Sequence, residues 1–104
     1  MASVSRVDFD LVRTVSTRNA LAICQRLLPG GRVVAGEYET RNPKRLDRNP
    51  GSFRVNVRTG RWADFATGDK GGDIISLVAW LLDTTQLEAA RRLSDLLSIT
   101  KVAE

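Results

Sequence analysis

The 104-residue chain has no histidine, one cysteine, one methionine, one tyrosine and three prolines. Without histidine, the side chain that most often shuttles protons at neutral pH is missing, which argues against general acid–base catalysis. A single cysteine, Cys24, excludes an intramolecular disulfide and suits a reducing compartment. Together the two shortages leave no set of imidazoles and thiolates able to cage zinc. Long apolar runs are missing as well. The longest, residues 77–82, is far too short to span a bilayer, and the first residues carry no apolar stretch of signal-peptide length. A cytoplasmic protein with no membrane partner is expected.

What is present is the composition of an ordinary globular domain, 42% hydrophobic and 27% charged. A chain of this length forms one domain burying roughly 65% of its unfolded surface. Charge is unevenly spread. Residues 41–61 hold seven basic side chains (Arg41, Lys44, Arg45, Arg48, Arg54, Arg58, Arg61) against one acidic, Asp47. The whole chain is +4, so this segment carries +6 and everything else sums to −2. Six of the seven are arginine, whose planar fork matches phosphate oxygens. A solvated basic face is the plainer reading of the same residues.

Residues 7–28 have a helical pattern, with a break expected near residues 15–17, where Ser16 or Thr17 would cap the second part. Ala20, Leu21, Cys24, Leu27 and Leu28 then form one apolar stripe, and Cys24 reads as core rather than nucleophile. Pro29-Gly30-Gly31 ends the helix. A strand is expected over residues 33–40, followed by a polar loop. Over residues 52–58, Phe53, Val55 and Val57 alternate with Arg54, Asn56 and Arg58, the pattern of a half-buried strand. Thr59-Gly60 turns the chain into a partner strand over residues 61–66. A two-residue turn would oppose Arg58 to Arg61 and set Trp62 and Asp64 beside Val57 and Val55; a bulge or three-residue loop is the alternative register.

Gly71-Gly72-Asp73 opens a helix over residues 73–83 that is apolar on nearly every side, with Trp80 in the core. Exposed amides in this glycine loop are the raw material of a phosphate nest. However, Asp69 and Asp73 would repel a phosphate, and Asp73 caps the helix itself. The loop does not have the Walker A order. The box Thr85-Gln86-Leu87-Glu88 starts a final helix over residues 85–98, with outward pairs Glu88–Arg92 and Arg91–Asp95. Asp47, Asp64, Asp69 and Asp73 are the only carboxylates that could gather around Mg²⁺ in this region, yet they sit in basic surroundings and most have turn or cap roles. No catalytic residue, cofactor or metal ligand is therefore expected.

The order Pro50, Ser52-Phe53, short strand, turn, second strand ending in Phe65, glycine loop and apolar helix resembles the N-terminal zinc ribbon of bacterial DnaG-type primases and of phage and plasmid primase-helicases. In that family a Cys-x-x-His pair precedes the Pro-Ser-Phe element and a Cys-x-x-Cys pair surrounds the Phe. The resemblance puts those four ligands at about Asn42, Arg45, Asp64 and Thr67, and it needs one extra residue, Gly51. It covers about residues 40–82 strongly and implies a zinc-ribbon-like fold without zinc.

The expected fold is α+β, one domain over residues 1–104. A small three-stranded antiparallel sheet with its basic loop (residues 33–66) packs with an N-terminal helix (7–28) and two C-terminal helices (73–83 and 85–98). The resemblance implies a non-enzymatic DNA-binding module of replication or priming, of mobile-element origin. Single-stranded DNA would be gripped by Arg41, Lys44, Arg45, Arg48, Arg54, Arg58, Arg61 and Lys70. Trp62, or Phe65 if exposed, would stack on a base, whereas core packing is the structural alternative for Trp62. A second reading is a protein-interaction module docking on a primase catalytic subunit, a helicase or a replicative polymerase.

Overall fold

The computed structural model describes residues 5–44, 52–99 and 102–103. A two-residue strand, β1 (Ser5–Arg6), is followed by two helices, α1 (Phe9–Arg18) and α2 (Ala20–Leu27). Asp8 caps α1 by accepting from the Leu11 amide at 3.0 Å. The expected break exists but lies at Asn19. Ser16 and Thr17 do not cap. Their hydroxyls donate back to the Arg13 carbonyl at 3.1 and 2.7 Å, a bond made inside a continuing helix. Asn19 leaves helical geometry at ψ 19° and its side-chain amide donates to the Val15 carbonyl at 2.8 Å.

The sheet has five strands, not three: β2 (Arg32–Val34), β3 (Glu37–Thr40), β4 (Phe53–Asn56), β5 (Trp62–Asp64) and β6 (Lys70–Gly71). They form an antiparallel meander in chain order. A separate pair joins β1 (Ser5–Arg6) to β7 (Val102–Ala103). The single strand expected over residues 33–40 is a hairpin, because Ala35 and Gly36 both take positive φ (51° and 80°), the geometry of a tight two-residue turn. The short strand β6 lies within the segment expected to be glycine loop only.

The β4–β5 hairpin also differs from the two-residue turn. Asn56 ends β4 because its side-chain oxygen accepts from the amides of Arg58 (2.9 Å) and Thr59 (3.0 Å). The loop therefore holds four residues, 57–60. Asn56, not Arg58, faces Arg61, whose carbonyl accepts from the Asn56 amide at 2.7 Å. Trp62 pairs with Val55 and Asp64 with Phe53. The register moves by two residues, so each side chain stays on the face its parity assigns.

Behind the sheet lie α3 (Ile74–Leu82) and α4 (Gln86–Leu96), which pack on each other and on α1. Asp73 caps α3 with a full capping box to Ser76, and Thr85 caps α4, accepting from the Glu88 amide at 3.1 Å. The Glu88 carboxylate turns outward to Arg92 at 3.1 Å. Tyr38, Phe53, Val55 and Trp62 from the sheet meet Ile74, Ile75, Leu77 and Val78 of α3, with Ile23, Cys24, Ala90 and Leu93 completing the core. Burying each large apolar side chain contributes roughly 1.5–3 kcal/mol before entropy. No helix among the described residues is long and apolar enough to cross a membrane.

Candidate nucleic-acid interface

Strand parity divides the sheet into two unlike faces. Directly opposed residues on the inner face run Val33, Tyr38, Val55, Trp62, Gly71, and a second row holds Thr40, Phe53 and Asp64. Trp62 is only 5% exposed; it lies edge-on to Phe53 (centroids 6.2 Å apart) and tilted against Trp80 (5.0 Å). Its indole N–H donates to Ser76 Oγ at 2.9 Å. Gly71 makes this possible, since a Cβ there would stand 2.4 Å from the indole nitrogen. Trp62 is thus core and has no ring face free for a base.

Phe65, in contrast, is 70% exposed. It follows Ala63 by two positions, so parity sends it to the outer face, where the Arg54 guanidinium stands 5.9 Å from its ring centroid. The outer row across all five strands is Arg32, Glu39, Arg54, Ala63, Lys70. The small side chain of Ala63 leaves a shallow depression of about 220 Å³ bordered by Glu37, Arg54, Asn56, Arg61 and Phe65. Across Arg61 it adjoins a second hollow of about 570 Å³ reaching Lys70 and Gly72. The result is an exposed aromatic ring within a strip of arginine and lysine.

Of the nine side chains proposed from sequence, Arg54, Arg61 and Lys70 share this face, and Arg58 is exposed at the hairpin end beside it. Arg41 borders a different hollow with Leu27, Leu28 and Pro29 at the end of α2. Lys44 turns to the helical side, pairing with Asp83 and lying 4.8 Å from the Trp80 ring centroid. Arg45 and Arg48 lie outside the described residues. Three contributors could not be found in a linear charge window. Arg32 joins through the β2–β3 hairpin, and Glu37 and Glu39 stand 3.5 and 3.4 Å from the Arg54 guanidinium. The basic segment is therefore partly neutralised by the strand before it.

The glycine loop at α3 is not a free anion site. Asp73 accepts from the Ser76 amide (2.8 Å) and from Arg13 Nε (2.9 Å). Burial opposes ionisation of Asp73, but the Ser76 amide and the Arg13 guanidinium outweigh it and hold the carboxyl below its ordinary range. Cys24 is fully buried, and burial raises its thiol to about 12, which agrees with a packing role.

At one end of the sheet, two loops meet through buried polar groups. Asn42, 3% exposed, donates to Asp64 Oδ2 at 2.6 Å, and Asp64 is 1% exposed. Asp64 Oδ1 accepts from the amides of Ala66 (2.8 Å) and Thr67 (3.3 Å), and Asn42 Oδ1 from the Lys44 amide (2.8 Å). An aspartate that looks misplaced in a strand is thus fully engaged.

No protein-family model matches the chain, and no curated protein matches it in sequence. Among solved structures, it is similar to the crystal structure of the Aquifex aeolicus primase comprising zinc-binding and RNA polymerase domains. The TM-score is 0.75 at 25% identity, over 95% of this chain. The chain spans 23% of that protein's crystallised length. With an antiparallel sheet backed by helices and this similarity, the chain has a primase-related fold.

Proposed function

We propose that the chain is a non-catalytic module of DNA replication or priming, carried by a phage, plasmid or related element, that binds single-stranded DNA on the outer face of its sheet. The observation that carries this is Phe65. Every other aromatic ring of the sheet is buried, whereas this one stands out in a strip formed by Arg54, Arg61 and Lys70. An exposed ring offers an unpaired base a stacking surface worth roughly 1–3 kcal/mol, and the surrounding cations track the phosphates. A duplex keeps its bases stacked on each other and would gain only the phosphate contacts. The primase-related fold supports a place in priming.

The test is binding of labelled single-stranded and duplex oligonucleotides by fluorescence anisotropy, with Phe65→Ala and with Arg54 and Arg58 changed together to Glu. Preference for single strands that is lost in Phe65→Ala, with binding to both strands lost in the double Glu variant, supports the reading. A second reading, docking on a primase catalytic subunit, helicase or polymerase, is favoured by the apolar groove of Leu27, Val78, Leu82, Leu93 and Leu96 on the helical side. Loss of partner capture on substituting Leu82, with DNA affinity negligible throughout, would support that reading instead.

A further inference from the structure

The primase to which the chain is similar contains a zinc-binding domain, so the residues here must be tested against zinc. Structural zinc takes four thiolate, imidazole or carboxylate ligands. Of the positions that the primase resemblance aligns with ligands, only Asp64 supplies such a group. Both its oxygens already accept hydrogen bonds, Oδ1 from two amides and Oδ2 from Asn42. The Thr67 hydroxyl is engaged with Asp69 at 2.9 Å. An arginine at position 45 cannot be a ligand. Among the described residues no group of three or more His, Cys, Asp or Glu is placed to hold a metal. The donor set does not fit zinc.

The same positions nevertheless do something a metal would do. Asn42 follows β3 and Asp64 ends β5, twenty-two residues apart, and their contact closes one end of the sheet. We infer that the buried Asn42–Asp64 hydrogen bond cross-links the two loops in place of a metal ion, so that this domain folds without zinc and without reduced thiols. The chemistry is suited to it. A carboxylate accepting a side-chain amide and two backbone amides in a dry site forms charge-assisted bonds, and removing one donor leaves a buried charge short of a partner. The ends of this clasp are also locally braced. Asp64 folds its own loop by accepting from residues 66 and 67, and Asn42 folds its loop by accepting from residue 44. Each loop is thus held by bonds of its own as well as by the bond that joins the two. This inference does not depend on DNA binding.

The test uses the whole chain. Thermal unfolding is followed with and without excess EDTA, and zinc content is measured on protein expressed in zinc-supplemented medium. The midpoint is expected to be unchanged by EDTA, with no stoichiometric zinc. Asn42→Ala is expected to lower the folding equilibrium constant on the order of 10–100-fold. In a double-mutant cycle with Asp64→Asn, the two losses should be clearly less than additive. Asn42→Asp should fall further than Asn42→Ala, because two carboxylates in contact with no cation between them repel. A lower midpoint in EDTA, or zinc retained at one per chain, would overturn the inference, and so would strict additivity in the cycle. If Asn42→Ala fails to fold, the wild-type EDTA and zinc measurements still decide it.

Discussion

The two faces of one five-stranded sheet, built from alternating residues of the same strands, have opposite chemistry. The inner face spends its aromatic rings on packing: Phe53 and Trp62 lie 6.2 Å apart, centroid to centroid, and 5.3 and 5.0 Å from Trp80 of α3. The outer face carries one ring, Phe65, and surrounds it with arginine, lysine and two glutamates. Trp62 and Phe65 are three residues apart, yet one is 5% and the other 70% exposed. Aromatic content alone therefore says nothing about binding; strand parity and register decide which ring is available.

The contrast can be broken most forcefully from the inside. Trp62→Ala removes a buried indole, its edge contact with Phe53 and its bond to Ser76, and should cost about 3–5 kcal/mol of stability. Urea unfolding would measure it. Phe65→Ala is the converse experiment. It should change stability by about 1 kcal/mol or less, since only an exposed cation–π contact with Arg54 is lost. Affinity for single strands should fall about 5–150-fold, corresponding to one stacked base. Substituting Arg61 or Lys70 by Gln should weaken binding to any sequence and reduce the salt slope by about 0.7 per phosphate contact removed. Smaller still should be the effect on an acid titration of the Arg13–Asp73 pair. The Asp73 carboxyl is held below its ordinary range, so its stabilisation is present above the unfolded pKa of about 3.9 and lost as pH falls through the lower folded value. Asp73→Asn should flatten that acid limb in melts recorded against pH. Cys24 should resist thiol reagents at neutral pH until the protein unfolds, at a rate set by opening rather than by reagent.

Much of this arrangement can be read in the sequence, and what is hidden has identifiable causes. The alternation of Phe53 and Val55 with Arg54 and Asn56 assigned faces correctly, and the caps Asp73 and Thr85 marked the starts of both C-terminal helices. The β2–β3 hairpin was concealed because Ala35 occupies a positive-φ position where glycine or asparagine is the usual signal. β6 was concealed by its two-residue length, one of the two being glycine. Asn56 hid the hairpin register, because its side chain closes a four-residue loop where Thr59-Gly60 suggests a two-residue turn. Charge was hardest to read. Arg54 lies in a run of basic residues, but its neighbours in space are Glu37 and Glu39, placed there by a pairing that no linear window contains.

On the proposed function, the outer face selects single-stranded DNA through Phe65. That selection is tested most directly by fluorescence anisotropy of wild type and Phe65→Ala on single- and double-stranded oligonucleotides at about 50 and 200 mM salt. Wild type should bind single strands more tightly and lose affinity steeply with salt, and Phe65→Ala should keep the salt slope while losing the strand preference. Equal binding of both strands by wild type and variant, or no binding at the lower salt, would contradict the proposal.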